Sequence, residues 1–162
     1  MSIRKLLSIG VLLLLLAGCS SDDDIAINDK NIQGYWESTT RNGESTTGTY
    51  SGVENTSGLL FLSDGEIKYW GYFLNDYTGT EEYSEEHWGY YYLDDEGTLE
   101  IRFGLKGSSP NPDELYYKVT SLTKDKMVIR SWGGFFGIPF EKGSDVVYKR
   151  LSETPYTQIK II

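Results

Sequence analysis

Short runs in which large apolar residues alternate with polar ones, interrupted again and again by Gly, Asp and Asn, most restrict what this chain can fold into. Beyond Asn31 no stretch keeps apolar residues at i, i+3, i+4 and i+7 over three turns, so a helix would have no stripe to bury. In 98–105, Leu99, Ile101 and Phe103 point one way and Glu100 and Arg102 the other, the side-chain period of a half-buried strand. Its mate is 88–93, reached through a turn that ends in Gly97. Segments 59–62 and 66–73 form a hairpin around Ser63, Asp64 and Gly65, and 115–122 and 126–132 form another around 123–125. A first strand over 32–40, a weaker one over 46–53 and a last one over 146–151 bring the count to about eight or nine. Consecutive hairpins favour an antiparallel meander, and closing it removes the free edges that invite aggregation. The expectation is an all-β domain over 32–151, a single antiparallel up-and-down β-barrel of about eight strands, with 152–162 as a C-terminal tail.

Within this pattern, Gly34-Tyr35-Trp36 at the start of the first strand resembles the Gly-x-Trp signature of lipocalins and of the lipocalin-like domains of small Bacteroidota lipoproteins. The Asp-Gly hairpin after 59–62, the run 119–129 and the ending Val147-Tyr148-Lys149-Arg150 are similar to corresponding stretches of those domains. The resemblance implies that Gly34, Trp36 and Arg150 form a structural signature at the closed end of the barrel, with the guanidinium over the indole, and that the interior receives a small ligand. Two departures stand against a true lipocalin. Pro155 and the β-like 158–162 tail leave little room for a helix after the barrel, and a lone cysteine allows no internal disulfide.

That cysteine has a context of its own. Arg4 and Lys5 precede an apolar run over 6–16, which ends in Leu16-Ala17-Gly18-Cys19. The run is too short for the roughly 20 residues that a membrane-spanning helix needs. It reads as a lipoprotein signal peptide over 1–18, removed so that Cys19 becomes the first residue and carries lipid. Ser20, Ser21 and Asp22-Asp23-Asp24 follow, and an acidic stretch behind a lipidated cysteine resembles the Bacteroidota signal for the outer face of the outer membrane. By composition alone, 19–31 is also a solvated tether. Removing 1–18 deletes two basic residues and no acid, so the formal charge moves from −9 to −11. Phosphate backbones are bound through Lys and Arg, which argues against nucleic acid as a partner.

The chain carries 13 Tyr, 4 Trp and 6 Phe. Trp70, Tyr72, Trp88, Tyr90 and Tyr92 are candidates to line a ligand cup; rings of this size would equally serve to fill a small barrel. Phe135, Phe136, Ile138 and Phe140 stand among glycines in an expected loop over 133–140, where Phe136 is the candidate gate and a buried plug is the alternative. Glu81, Glu82, Glu85 and Glu86, with Asp76 nearby, could hold a hard cation or form a solvated acidic loop; the spacing of an EF-hand is absent. His87 is the single histidine. Neither a nucleophile elbow, a histidine or cysteine metal cluster nor a glycine-rich phosphate loop is present, so no enzyme, metal or cofactor is expected. The expected function is a lipid-anchored, lipocalin-like domain binding a small hydrophobic or amphipathic molecule. The alternative is a filled barrel that contacts glycan or another envelope protein.

Overall fold

The computed structural model describes residues 23–50, 53–75, 77–102, 106–107, 115–131, 143–153 and 155. A one-turn helix, α1 (Asp29–Ile32), leads into β1 (Gly34–Arg41), the short β2 (Glu44–Ser45) and β3 (Gly48–Tyr50), and then β4 (Val53–Phe61), β5 (Glu66–Asn75) and β6 (Thr80–Leu93). Next come β7 (Thr98–Arg102), β8 (Leu115–Leu122), β9 (Lys126–Ser131) and β10 (Asp145–Arg150). Along the sheet the order is β2-β1-β10-β9-β8-β7-β6-β5-β4-β3, and β1 pairs a second time, with β4. Eight strands, β1 and β4 to β10, thus close into an antiparallel up-and-down barrel, as the alternation and tight turns led one to expect.

The seam is the β1–β4 ladder, where Gly34 faces Phe61, Trp36 faces Leu59 and Glu37 faces Gly58. A Cβ on Gly58 would stand 1.8 Å from the Trp36 carbonyl oxygen and 2.8 Å from the Trp70 ring. Only a residue without a side chain lets these backbones meet there.

Inward-facing Trp36, Phe61, Ile67, Tyr91, Leu99, Leu122 and Met127 pack one end of the barrel solid. Phe61 and Tyr91 meet edge to face at 5.1 Å, an arrangement that aromatic quadrupoles favour. α1 covers this end with Ile32, whose carbonyl accepts the Trp36 indole N–H at 2.7 Å. Arg150 lies over the Trp36 ring at 4.0 Å and donates to the carbonyls of Lys124 (2.8 Å), Gln33 (2.6 Å) and Asn31. The guanidinium therefore joins the last strand, the β8–β9 turn and the residues that precede β1. Gly34, opposite Phe61, stands directly under it.

Two expectations need correction. The tether assigned to 19–31 is short, because Ile25 N–H donates to the Leu122 carbonyl at 2.8 Å, Ser121 bonds Asp24 at 3.1 Å, and Ile25 and Ile27 pack on the core. Two isoleucines offer enough apolar area to hold an otherwise polar segment on the barrel. The acidic segment taken for a loop is strand: β6 begins at Thr80 and pairs with β5 as far as Asn75 opposite Thr80. Its polar residues hid this, since a strand end that runs past the core need not alternate. Phe103, Leu105 and Trp132, counted in the expected strands, lie outside the described residues, as does 156–162 of the tail.

Gly58→Ala is expected to lower stability by about 3 kcal/mol or more, read as a fall in the urea midpoint. Gly71→Ala, whose added methyl would meet only ordinary contacts at 3.8 Å, should change it little.

Candidate functional site

Above the packed end the barrel interior holds a cavity of about 290 Å³. Leu59, Leu99, Ile101, Ile129 and Val146 supply its apolar wall. Four rings, Tyr69, Trp88, Tyr117 and Tyr148, stand among them, and Arg41 and Ser131 complete the lining. Trp88 is the hub of the rings, 6.3 Å from Tyr117 and 6.5 Å from Tyr69. β1 ends, and β10 begins, at the mouth of this space.

Two β-bulges aim the lining. In β1 the ladder with β10 slips between Ser38 and Thr40, and Thr39 takes the extra position, its hydroxyl donating to the Val147 carbonyl at 3.1 Å. Unbroken alternation from the inward Trp36 and Ser38 would send Thr40 inward and Arg41 out. The bulge reverses this, and Arg41 faces the cavity opposite Val146. In β6 the register slips as Ile67 faces Gly89 and Lys68 faces His87, leaving Trp88 as the extra residue, directed inward. Gly89 permits this, because a Cβ there would stand 2.3 Å from the Arg102 carbonyl oxygen.

The cup expected from five rings therefore contains one of them, Trp88. Trp70 belongs to the outer row Glu37, Gly58, Trp70, Glu85, buried on the barrel exterior and stacked with Tyr83 at 6.3 Å. Tyr72 lies on the same outer face and donates to Glu81. Tyr90 neighbours His87, at 5.4 Å, and the Lys106 ammonium, at 5.7 Å, while Tyr92 lies beneath Arg102 at 4.1 Å. For Tyr90 and Tyr92 the physical reason is the β6 bulge, which breaks the period of two between them and Trp88; on β5 unbroken alternation from the inward Ile67 sends Tyr69 in and Trp70 and Tyr72 out. Phe136 with the loop 133–140, and Cys19, lie outside the described residues.

Tyr69, Tyr117, Tyr148 and Arg41 were not singled out from the sequence. Carrying the alternation back from Val119 to Tyr117, and on from Val146 to Tyr148, would have found two of them; nothing in the local pattern marks Arg41. Burial pushes the Tyr117 phenol up to about 12, partly offset by the nearby Arg41 charge; burial, with the Tyr117 and Tyr69 phenols adding to it and Arg41 opposing it, raises Tyr148 further. Both rings are thus neutral hydrogen-bond donors at physiological pH.

The acidic side chains gather no metal site among the described residues. Glu81 takes the Tyr72 hydroxyl, Glu82 the Asn75 amide at 2.7 Å, and Glu85 the hydroxyls of Tyr35 and Tyr83 at 2.7 and 2.8 Å. Asp76 lies outside the described residues. His87 is exposed on the outer face and pairs with Glu66 at 2.9 Å, away from the cavity lining.

The chain matches no protein-family model, no curated protein and no solved structure.

Partial burial tends to raise the Glu85 carboxyl, but the two phenol hydrogen bonds and Lys68, at 3.6 Å, outweigh it and hold it below the usual carboxylate range. A folded-state pKa below the unfolded one means that its stabilisation is complete above that range and fades as pH falls through it. Glu85→Gln is expected to be less stable than the wild type by roughly 1 kcal/mol at neutral pH, a modest figure because the site is partly solvated. The gap should close in urea titrations repeated at progressively lower pH.

Proposed function

We propose that this chain is a non-enzymatic, lipid-anchored envelope lipoprotein whose lipocalin-like barrel binds a small hydrophobic or amphipathic molecule. The observation that carries the reading is the ring-lined cavity of about 290 Å³ in a barrel whose other end is packed solid. Ligand sites in general are concave, mostly apolar and furnished with a few convergent polar groups, and Arg41, Ser131 and two phenols are such groups here. The alternative of a barrel filled with its own side chains, acting as an interaction module for glycan or an envelope protein, has less support, because the space is there.

Anchoring through Cys19 rests on the leader, and display at the outer face of the outer membrane on the resemblance of the acidic stretch 22–24. With the chain tied to the barrel from Asp24 onwards, only about five residue steps separate Cys19 from it, a reach of no more than about 18 Å. A lipid there would hold the packed end towards the membrane and turn the cavity mouth away from it.

Native mass spectrometry of residues 20–162, purified from cells that make the protein, is expected to reveal a co-purifying small molecule. Repeated recovery of the bare mass, with no uptake from a lipid extract of those cells, would count against a binding role. Cys19→Ala is expected to move the protein from the membrane fraction to the soluble one; retention on membranes would rule out the anchor. Protease added to intact cells should digest the wild type and spare a variant with Asp22, Asp23 and Asp24 changed to alanine.

A further inference from the structure

We propose that the ligand is a small amphiphile with a carboxylate head, held by Arg41 together with the Tyr117 and Tyr148 hydroxyls, its apolar chain lying along Leu99, Ile101 and Ile129. This rests on the binding role proposed above and narrows it to one chemical class.

The argument starts from charge. The protein carries a formal −9, yet the single charged residue among the described lining residues is a cation. The Arg41 side chain has no ion pair and no hydrogen bond among the described residues, in contrast to Arg130, held by both oxygens of Asp145, and Arg150, held by three carbonyls. Arg41 is an exposed residue at the rim of the chamber, so its guanidinium meets water in place of a protein partner and its donors are open to an anion entering from solvent. The bulge at Thr39 spends a regular ladder position on turning this side chain inward. The Tyr117 and Tyr148 hydroxyls likewise make no hydrogen bond among the described residues, and both feel the Arg41 charge. Two neutral phenols, each able to donate its hydroxyl proton, flank one cation, so three groups can direct donors at a single oxyanion, while the positive charge disfavours an ammonium. Beyond this head site the wall is aliphatic and aromatic, which asks for a hydrocarbon chain. The volume limits the chain to a short one, since about 290 Å³ stands at the lower end of the ~300–1,000 Å³ usual for ligand pockets.

Octanoate and octanol, with the same number of carbons and different heads, separate head recognition from chain burial. Every contact described here lies within 23–155, so residues 20–162 carry the whole barrel and serve in isothermal titration calorimetry at neutral pH. Octanoate is expected to bind about tenfold more tightly than octanol, in line with a charge-assisted hydrogen bond. Arg41→Met should erase that preference while leaving octanol binding within about twofold, and Arg41→Lys should retain part of it. Lys149→Gln, which removes an exposed positive charge paired with Glu37 on the outer face, should leave both affinities unchanged. Equal binding of the two probes, or a preference that survives Arg41→Met, would overturn the carboxylate proposal and leave the apolar binding role standing. Absence of binding by either probe would overturn both.

Discussion

The pairing of β1 with β4 is the constraint on which everything else rests, because it turns a ten-stranded sheet into a closed barrel. Without it the core residues would line one face of an open sheet with two free margins. With it, Trp36, Phe61, Leu59 and Tyr69 face a common interior. The contact is made at backbone distance through Gly58, so closure depends on the absence of a side chain as much as on any attraction. Arg150 supports the same region from β10, binding carbonyls ahead of β1 and in the β8–β9 turn while covering the Trp36 ring. Its fork of donors ties together three segments distant in sequence, a task for which a lysine's single ammonium is poorly shaped.

Closure divides the interior unequally. At the end covered by α1, large side chains meet and are almost fully buried, whereas towards the other end the wall is built of branched aliphatic residues and rings that stand apart. The sharpest local decisions are the bulges. Of the three register slips among the described strands, the one at Thr120 adds nothing to the cavity, while those in β1 and β6 each insert one residue, interrupt the regular ladder and move a chemically distinctive side chain from the solvent face to the cavity: Arg41 in one case, Trp88 in the other. A barrel with strict alternation would have a more uniform lining and its arginine outside.

The outer face has its own organisation. Trp70 is buried there beneath Tyr83, and Tyr35, Tyr83 and Lys68 converge on Glu85 across β1, β5 and β6. Tyrosines are thus divided between two tasks. Some give rings to the cavity, and others give hydroxyls to carboxylates on the exterior, which helps a strongly acidic surface lie on a continuous sheet.

Much of this fold was legible in the residues themselves. The alternation of Leu99 and Ile101, the Asp-Gly hairpin at 64–65, the bounds of 115–122 and the place of Arg150 over Trp36 all follow from period-two geometry, turn chemistry or a resemblance carried by neighbouring residues. The site was far less legible. Trp70, Tyr72, Tyr90 and Tyr92 looked equivalent to Trp88, and Arg41 looked like a charge at the end of a strand. The sequence by itself determined most of the strands, where most of them turn, and that they should close, but not that the acidic first half of β6 is strand. Which rings share a chamber, and that one arginine joins them, was decided only in the tertiary structure. A bulge is a one-residue slip between two strands, and its location depends on what the partner strand presents, information that no single stretch of chain contains.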